Sequence, residues 1–164
     1  MVRLLALDVG TVESGYCIMD CNTYKPIQFG KVKNEELLEI VRTADYQVCA
    51  YEQFKSYGMA IGDSTIESIQ WNGRFIQLIA DRGILYFPIM RVEEKYAICG
   101  SSKAKDSNIR QALIDRFAKF DFKNGKGTKK NPDWFYGFKA DVWTSYCVAV
   151  TFLDKNKELW NEGF

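Results

Sequence analysis

Apolar and polar positions along the chain fall into segments of two periods. Residues 2–9 (V-R-L-L-A-L-D-V) are apolar on both sides beyond Arg3, which predicts a central strand buried on both faces. Gly10-Thr11 turns the chain. Residues 14–21 and 27–33 read as two further strands, joined by a hairpin turn over Asn22 to Pro26. Asn34 is suited to cap a short helix. Glu35 and Glu36 then stand in its first turn, where the dipole favours acids, and Leu37, Leu38 and Val41 form its buried side. Residues 46–52 form a fourth strand.

Ser64 and Glu67 have capping-box spacing. They open a helix of about five turns, assigned to 64–82, with Ile66, Ile69, Gly73, Ile76 and Ala80 on the core face. Trp71 and Phe75 are then exposed beside that stripe and need burial elsewhere. Gly83 follows at the C-cap. Residues 84–92 predict a fifth strand, and Pro88 suits it to a sheet edge. Asp106 caps a helix with Ile109, Ala112, Leu113 and Phe117 inside. Residues 121–137 are an extended loop, and a last helix runs from near Ala140 to Leu153. No repeat or linker divides the sequence, so 1–164 is expected to be one α/β domain with 155–164 as a tail. Leu159, Trp160 and Phe164 would pack that tail back on the body.

Three acids stand out against this pattern. Asp8 and Glu52 each end an apolar strand, and Asp141 opens the last helix. An acid at the end of an apolar run is costly unless something neutralises it. A hard divalent cation held by oxygens would serve all three. Singly, each acid has an ordinary explanation: a turn acid at Asp8, a helix-dipole acid at Asp141. Jointly they point to metal-assisted chemistry on phosphate. Two cations ~3.5–4 Å apart would activate water and stabilise the leaving 3′ oxygen. Asp141, Ser145 and Val148 share one helix face, so a helix packed on the sheet through Ser145, Val148 and Phe152 would carry Asp141 over the strand ends.

Composition narrows the chemistry. The chain has no histidine, which removes Ser-His and Cys-His nucleophilic systems. Its five cysteines are odd in number and mostly in apolar settings, as expected of buried thiols in a reducing compartment. Cys17 and Cys21 lack the second pair a structural zinc site needs. No apolar run approaches the ~20 residues of a membrane span. No secretory pattern precedes the first strand, so a cytoplasmic protein is expected. The net charge is only +1, so a nucleic-acid binder of this kind must concentrate its positive residues. Lys123, Lys126, Lys129 and Lys130 lie together with no acid among them. They suit DNA contact or a solvated loop.

The pieces L-A-L-D-V-G-T-V-E-S-G-Y, A-Y-E-Q-F and K-A-D-V-W-T-S-Y-C-V-A-V resemble the RuvC-type Holliday junction resolvases, above all the compact bacteriophage members. The resemblance runs from residue 2 to about 153. The element order, a three-stranded meander followed by alternating helices and strands, resembles the ribonuclease H-like fold. That fold implies a five-stranded mixed sheet flanked by helices, with its first three strands antiparallel and strands one and four parallel neighbours. The resemblance also implies a dimeric, Mg2+-dependent endonuclease, with Mn2+ as a substitute. It would nick opposed strands of a four-way junction or other branched DNA and leave 5′-phosphates.

Asp8, Glu52 and Asp141 fall on the family's catalytic metal ligands. The cellular resolvases usually add a fourth, an acid or His three residues before the last Asp. Here Phe138 holds that place, with Asp133 as a substitute candidate and Lys139 as a candidate contact to the scissile phosphate. The family's lysine near the helix start is displaced to Lys105, with Asp106 in its aligned place, so phosphate binding is the expectation for Lys103 and Lys105. Lys55 and Tyr57 sit with Met59 in a glycine-containing loop suited to the junction centre, where an apolar tip can wedge a base step. Helix 64–82 is the implied homodimer element. If phage-encoded, the protein would work in the bacterial host cytoplasm. Three alternatives stay open at this level. A related nuclease would act on forks, flaps or RNA. A catalytically silent domain would only bind junctions. The D-V-G-T-x-x-S-G piece also resembles the first phosphate loop of the sugar kinase and actin group. Those proteins close two such domains on a nucleotide, so no nucleotide cofactor is expected of this single domain.

Overall fold

The computed structural model describes residues 1–158; Leu159, Trp160 and Phe164 of the tail lie outside the described residues. Five strands form one sheet: β1 Arg3–Asp8, β2 Glu13–Asp20, β3 Pro26–Lys33, β4 Val48–Glu52 and β5 Leu85–Ile89. Their order is β3-β2-β1-β4-β5. β1, β2 and β3 pair antiparallel, while β4 lies parallel to both β1 and β5. This is the expected mixed sheet, and Pro88 does lie on an edge strand.

Side chains alternate across the sheet and divide the core in two. Leu4, Ala6, Cys17, Met19, Val48 and Ala50 face one layer. Leu5, Leu7, Ile18, Cys49 and Tyr51 face the other. The first layer is covered by α3 Arg91–Cys99, α4 Asp106–Phe117 and α5 Ala140–Lys155. The second is covered by α1 Asn34–Thr43 and α2 Asp63–Asp81. Ser145, Val148 and Phe152 of α5 are buried as expected, and Phe152 stacks on Phe87 with ring centroids 5.0 Å apart. All five cysteines are free thiols.

Several sequence expectations need correction. The inner face of α2 is Phe75 and Ile79, both fully buried, with Trp71 stacked on Phe75. Ile66 and Ile69 are exposed instead. The helix carries two apolar stripes, and the sheet packs against the one that holds Phe75 and Ile79. Ser64 is not the cap, because α2 begins at Asp63 after Gly62. Asn34 does not cap α1 either; it is wholly buried in a network described below. The fifth strand stops at Ile89, and α3, absent from the sequence reading, follows at once. Its start is closed by Glu93, whose Oε2 accepts the Met90 N–H at 2.6 Å, and its end by Gly100 in the left-handed region.

The loop 121–137 is built rather than loose. Asp133 accepts backbone N–H groups from Lys119, Phe120, Asp121 and Trp134 at 2.7–3.0 Å. Burial alone would raise its pKa, but these donors outweigh it and hold the carboxyl at about 2. Asp133 is therefore a structural clamp with its acceptor capacity in use by the loop backbone.

Candidate metal centre and nucleic-acid interface

The register of the sheet assembles the site. Leu7 of β1 lies opposite Tyr51 of β4. The next residues, Asp8 and Glu52, therefore end two parallel strands side by side, where open α/β sheets place their sites. By alternation both acids point to the layer covered by α5. Across β2 and β3 the same row continues as Asp8, Gly15 and Lys31. Asp141, in the first turn of α5, sits over Gly15. A Cβ at Gly15 would stand 2.4 Å from the Asp141 carbonyl oxygen and 2.9 Å from its Cβ. Glycine is required there so that α5 can lower Asp141 onto the sheet between Asp8 and Lys31.

The turn after Asp8 is fixed by a buried polar network. Ser14 Oγ accepts the Gly10 N–H at 3.0 Å and donates to Asn34 Oδ1 at 2.5 Å. Asn34 Nδ2 donates to the Gly10 carbonyl at 2.9 Å. Thr11 Oγ1 donates to the Ser64 carbonyl at 2.9 Å and ties this turn to α2.

Asp8 and Glu52 floor a cleft of about 570 Å³ with Asn72, Arg91, Asp106 and Thr144 in its walls and Phe54, Lys55 and Tyr57 at its rim. The negative charge in it is poorly compensated. Burial, then the charges of Glu52 and Asp141, push the Asp8 carboxyl up to about 7. Glu52 Oε1 and Asn72 Oδ1 are buried without a hydrogen-bond partner among the described residues.

Two residues of this site were not found in the sequence. Glu94 of α3 is fully buried. It lies within hydrogen-bonding reach of Glu52, and burial, then that contact, raises its pKa strongly. Arg91, one turn before it, donates to Glu94 Oε1 at 3.0 Å and also pairs with Asp106. Its charge lowers the pKa of both Asp8 and Glu94. Both belong to the unrecognised helix, whose signals were the Met90–Glu93 box and Gly100.

Among the described residues, no three His, Cys, Asp or Glu side chains converge closely enough to hold a metal ion as they stand. Asp141 instead reaches Lys31 Nζ at 2.7 Å. The donor chemistry nevertheless fits a hard divalent cation: all carboxylate oxygen, an unpartnered Glu52 Oε1, and an Asp8 carboxyl whose ionisation wants a positive neighbour.

The remaining sequence candidates surround this centre at different distances. Lys55 lies 5.0 Å over the Tyr57 ring at the cleft rim, and Tyr57 adopts a left-handed φ of 51°. Phe54, Tyr57, Met59 and Ile61 are all exposed on this loop. Lys103 and Lys105 are exposed ahead of α4, with Lys105 at its N-cap position. Lys139 is the exposed N-cap residue of α5, two positions from Asp141. Lys123 and Lys126 line a separate concavity with Arg110 and Trp143, while Lys129 and Lys130 are exposed beyond it. Arg110 and Trp143 also line the depression that holds Asp141, Arg91 and Asp106, so the lysine-lined concavity and this depression are neighbours.

No protein-family model matches the chain. It is 30% identical over 129 residues to the crossover junction endodeoxyribonuclease RuvC of Prochlorococcus marinus (strain MIT 9211), covering 68% of this chain and 78% of that protein. Among solved structures, Thermus thermophilus RuvC superimposes with a TM-score of 0.68 at 12% identity, over 96% of this chain and 97% of that one. T. thermophilus RuvC in complex with a Holliday junction substrate gives 0.67 at 12% identity, over 92% of each chain. The yeast mitochondrial Holliday junction resolvase Ydc2 gives 0.61 at 14% identity, over 99% of this chain and 85% of that one. These structural likenesses establish the ribonuclease H-like fold, and with the sequence relative aligned over most of both proteins, the chain belongs to the RuvC family.

Proposed function

We propose that this chain is a divalent-metal-dependent endonuclease that resolves four-way DNA junctions by paired nicks. The observation that carries the reading is the pair of acids at the parallel strand ends, Asp8 and Glu52. They share a cleft with an unpartnered carboxylate oxygen and sit beside an acid-bearing helix. Asp8, Glu52 and Asp141 would hold Mg2+, or Mn2+ in its place. Bound there, divalent cations supply the positive charge that acidifies an attacking water and stabilises the phosphate and the leaving 3′ oxygen.

The chain's own residues do the rest. Asp8 and Glu52 bring fixed negative oxygens to the sheet edge. Lys139 at the head of α5, and Lys103 and Lys105 before α4, offer exposed ammonium groups to DNA phosphates. Lys55 and Tyr57 lie where the strands would exchange, and the exposed Phe54, Tyr57 and Met59 suit wedging between unstacked bases. Lys123, Lys126, Lys129 and Lys130 would contact the backbone of an arm leaving the cleft.

Paired nicks need two sites. A homodimer through α2 is supported by its exposed stripe of Ile66, Ile69 and Gly73 and by exposed Leu85 and Tyr86 on edge strand β5. A two-fold axis along this face would place two clefts on one junction. Among the described residues no helix is long and apolar enough to cross a membrane. The bacterial cytoplasm, with phage DNA as substrate, is the setting that the resemblance to compact phage members favours.

The test is incubation of the protein with a labelled immobile four-way junction beside matched duplex, flap, single strand and RNA. Paired nicks confined to the junction are expected. Cutting of flaps or RNA instead would keep the metal chemistry and change the substrate. Tight junction binding with no cleavage in Mg2+ or Mn2+ would make this a silent junction-binding protein.

A further inference from the structure

We propose that Lys31 is the resident cation of the metal site in the free protein: it holds Asp141 until DNA phosphate draws the lysine away, so that metal occupancy is coupled to DNA binding through this one side chain. The inference rests on the metal-site reading of Asp8, Glu52 and Asp141.

Four observations support it. Lys31 stands in the same sheet row as Asp8, one strand beyond Gly15, so its side chain rises from the face that carries the acids. It reaches Asp141 at 2.7 Å, because the missing side chain of Gly15 lets the first turn of α5 come down onto the sheet beside it. With Asp141 so engaged, no three acids converge as a cation would need. Glu13 stands 3.9 Å from the same ammonium, so a second acid receives Lys31 only weakly if Asp141 leaves it.

The strength of the contact matches the role. Lys31 and Asp141 are both partly open to water, at 43% and 35% of their side-chain surface. Exposed pairs of this kind are weak and exchangeable. A buried pair would exclude the metal outright. Lysine is also suited to such transfer, since its charge is compact and its four-carbon stem is flexible. A DNA strand entering the cleft brings phosphates to the sheet edge and offers the ammonium a new partner. Asp141 is then freed for the cation shared with Asp8 and Glu52. By linkage, whatever DNA does for metal affinity, metal does equally for DNA affinity.

Mn2+ binding to the DNA-free protein, read by electron paramagnetic resonance, tests the claim without activity. Lys31→Met should bind Mn2+ tighter than wild type by about fivefold, the scale of one exposed ion pair. Lys31→Arg keeps the charge and should bind as wild type does. Asp8→Asn should lose the binding. In EDTA, where no cleavage occurs, Lys31→Met should lower the salt dependence of junction binding by about one unit of log-log slope per engaged subunit. Unchanged or weaker Mn2+ binding by Lys31→Met, with wild-type binding that Asp8→Asn removes, would overturn the proposal and leave the metal-site reading standing. Absence of Mn2+ binding from every variant, Lys31→Met included, would overturn both. An unchanged salt slope would show that Lys31 does not pass to phosphate.

Discussion

The surroundings of Asp8 oppose its charge. Burial, Glu52 and Asp141 raise its pKa to about 7 in the metal-free protein, against roughly 4 for an unfolded aspartate. The folded state therefore holds the proton more tightly between those values. Stability falls as pH rises through that window and is fully reduced above it. Asp8→Asn removes the ionisation and should stabilise the metal-free protein at pH 8 by about 1–3 kcal/mol, with a much smaller difference near pH 4. Urea unfolding in EDTA at the two pH values measures this; an Asn variant no more stable at pH 8 would contradict the assignment of strain to Asp8. Gly15 is the second decisive residue. Its Cβ position is occupied by the Asp141 backbone, so Gly15→Ala must displace the first turn of α5. A cost of about 1–3 kcal/mol is expected, with loss of Mn2+ binding beyond what reduced stability explains. Normal Mn2+ affinity in that variant would show that α5 need not sit so close.

Among the elements, α2 and α3 show where sequence and structure part. The 3.6-residue period placed α2 correctly but offered two apolar stripes, and hydrophobicity alone does not choose between them. Only the shape of the sheet face makes Phe75 and Ile79 the core and leaves Ile66 outside. Phe75→Ala should therefore cost about 3–5 kcal/mol. Ile66→Ser should change stability by no more than about 0.5 kcal/mol while weakening self-association in sedimentation equilibrium. A monomeric wild type would overturn the proposed dimer, and an Ile66→Ser dimer as tight as wild type would move its interface elsewhere. Helix α3 was illegible for a different reason. It follows β5 with a single residue between them, so its first residues, Arg91 and Val92, read as the end of strand 84–92. Arg91 and Glu94 were lost with it, because a charged pair straddling an assumed strand end gives no hint that one member is fully buried.

For the whole molecule, the sheet order was the most legible feature. Three early strands at hairpin spacing and later strands separated by helices leave few right-handed arrangements. The observed one puts Asp8 beside Glu52. Asp141 could be anticipated because Ser145, Val148 and Phe152 fix which face of α5 meets the sheet. Asp133 could not be judged, since its four backbone donors come from loop geometry that no period encodes. Lys31 gave no signal in the sequence; only the register sets it in one row with Asp8. The central claim is that these acids make one metal-dependent cutting centre for junction DNA. The most direct measurement is cleavage of an immobile four-way junction by wild type and Asp8→Asn, with and without Mg2+, alongside a gel-shift assay of binding. The account predicts symmetrically paired nicks only with wild type and Mg2+, and junction binding by both proteins. Nicking that survives in Asp8→Asn, or that proceeds in EDTA, would contradict it.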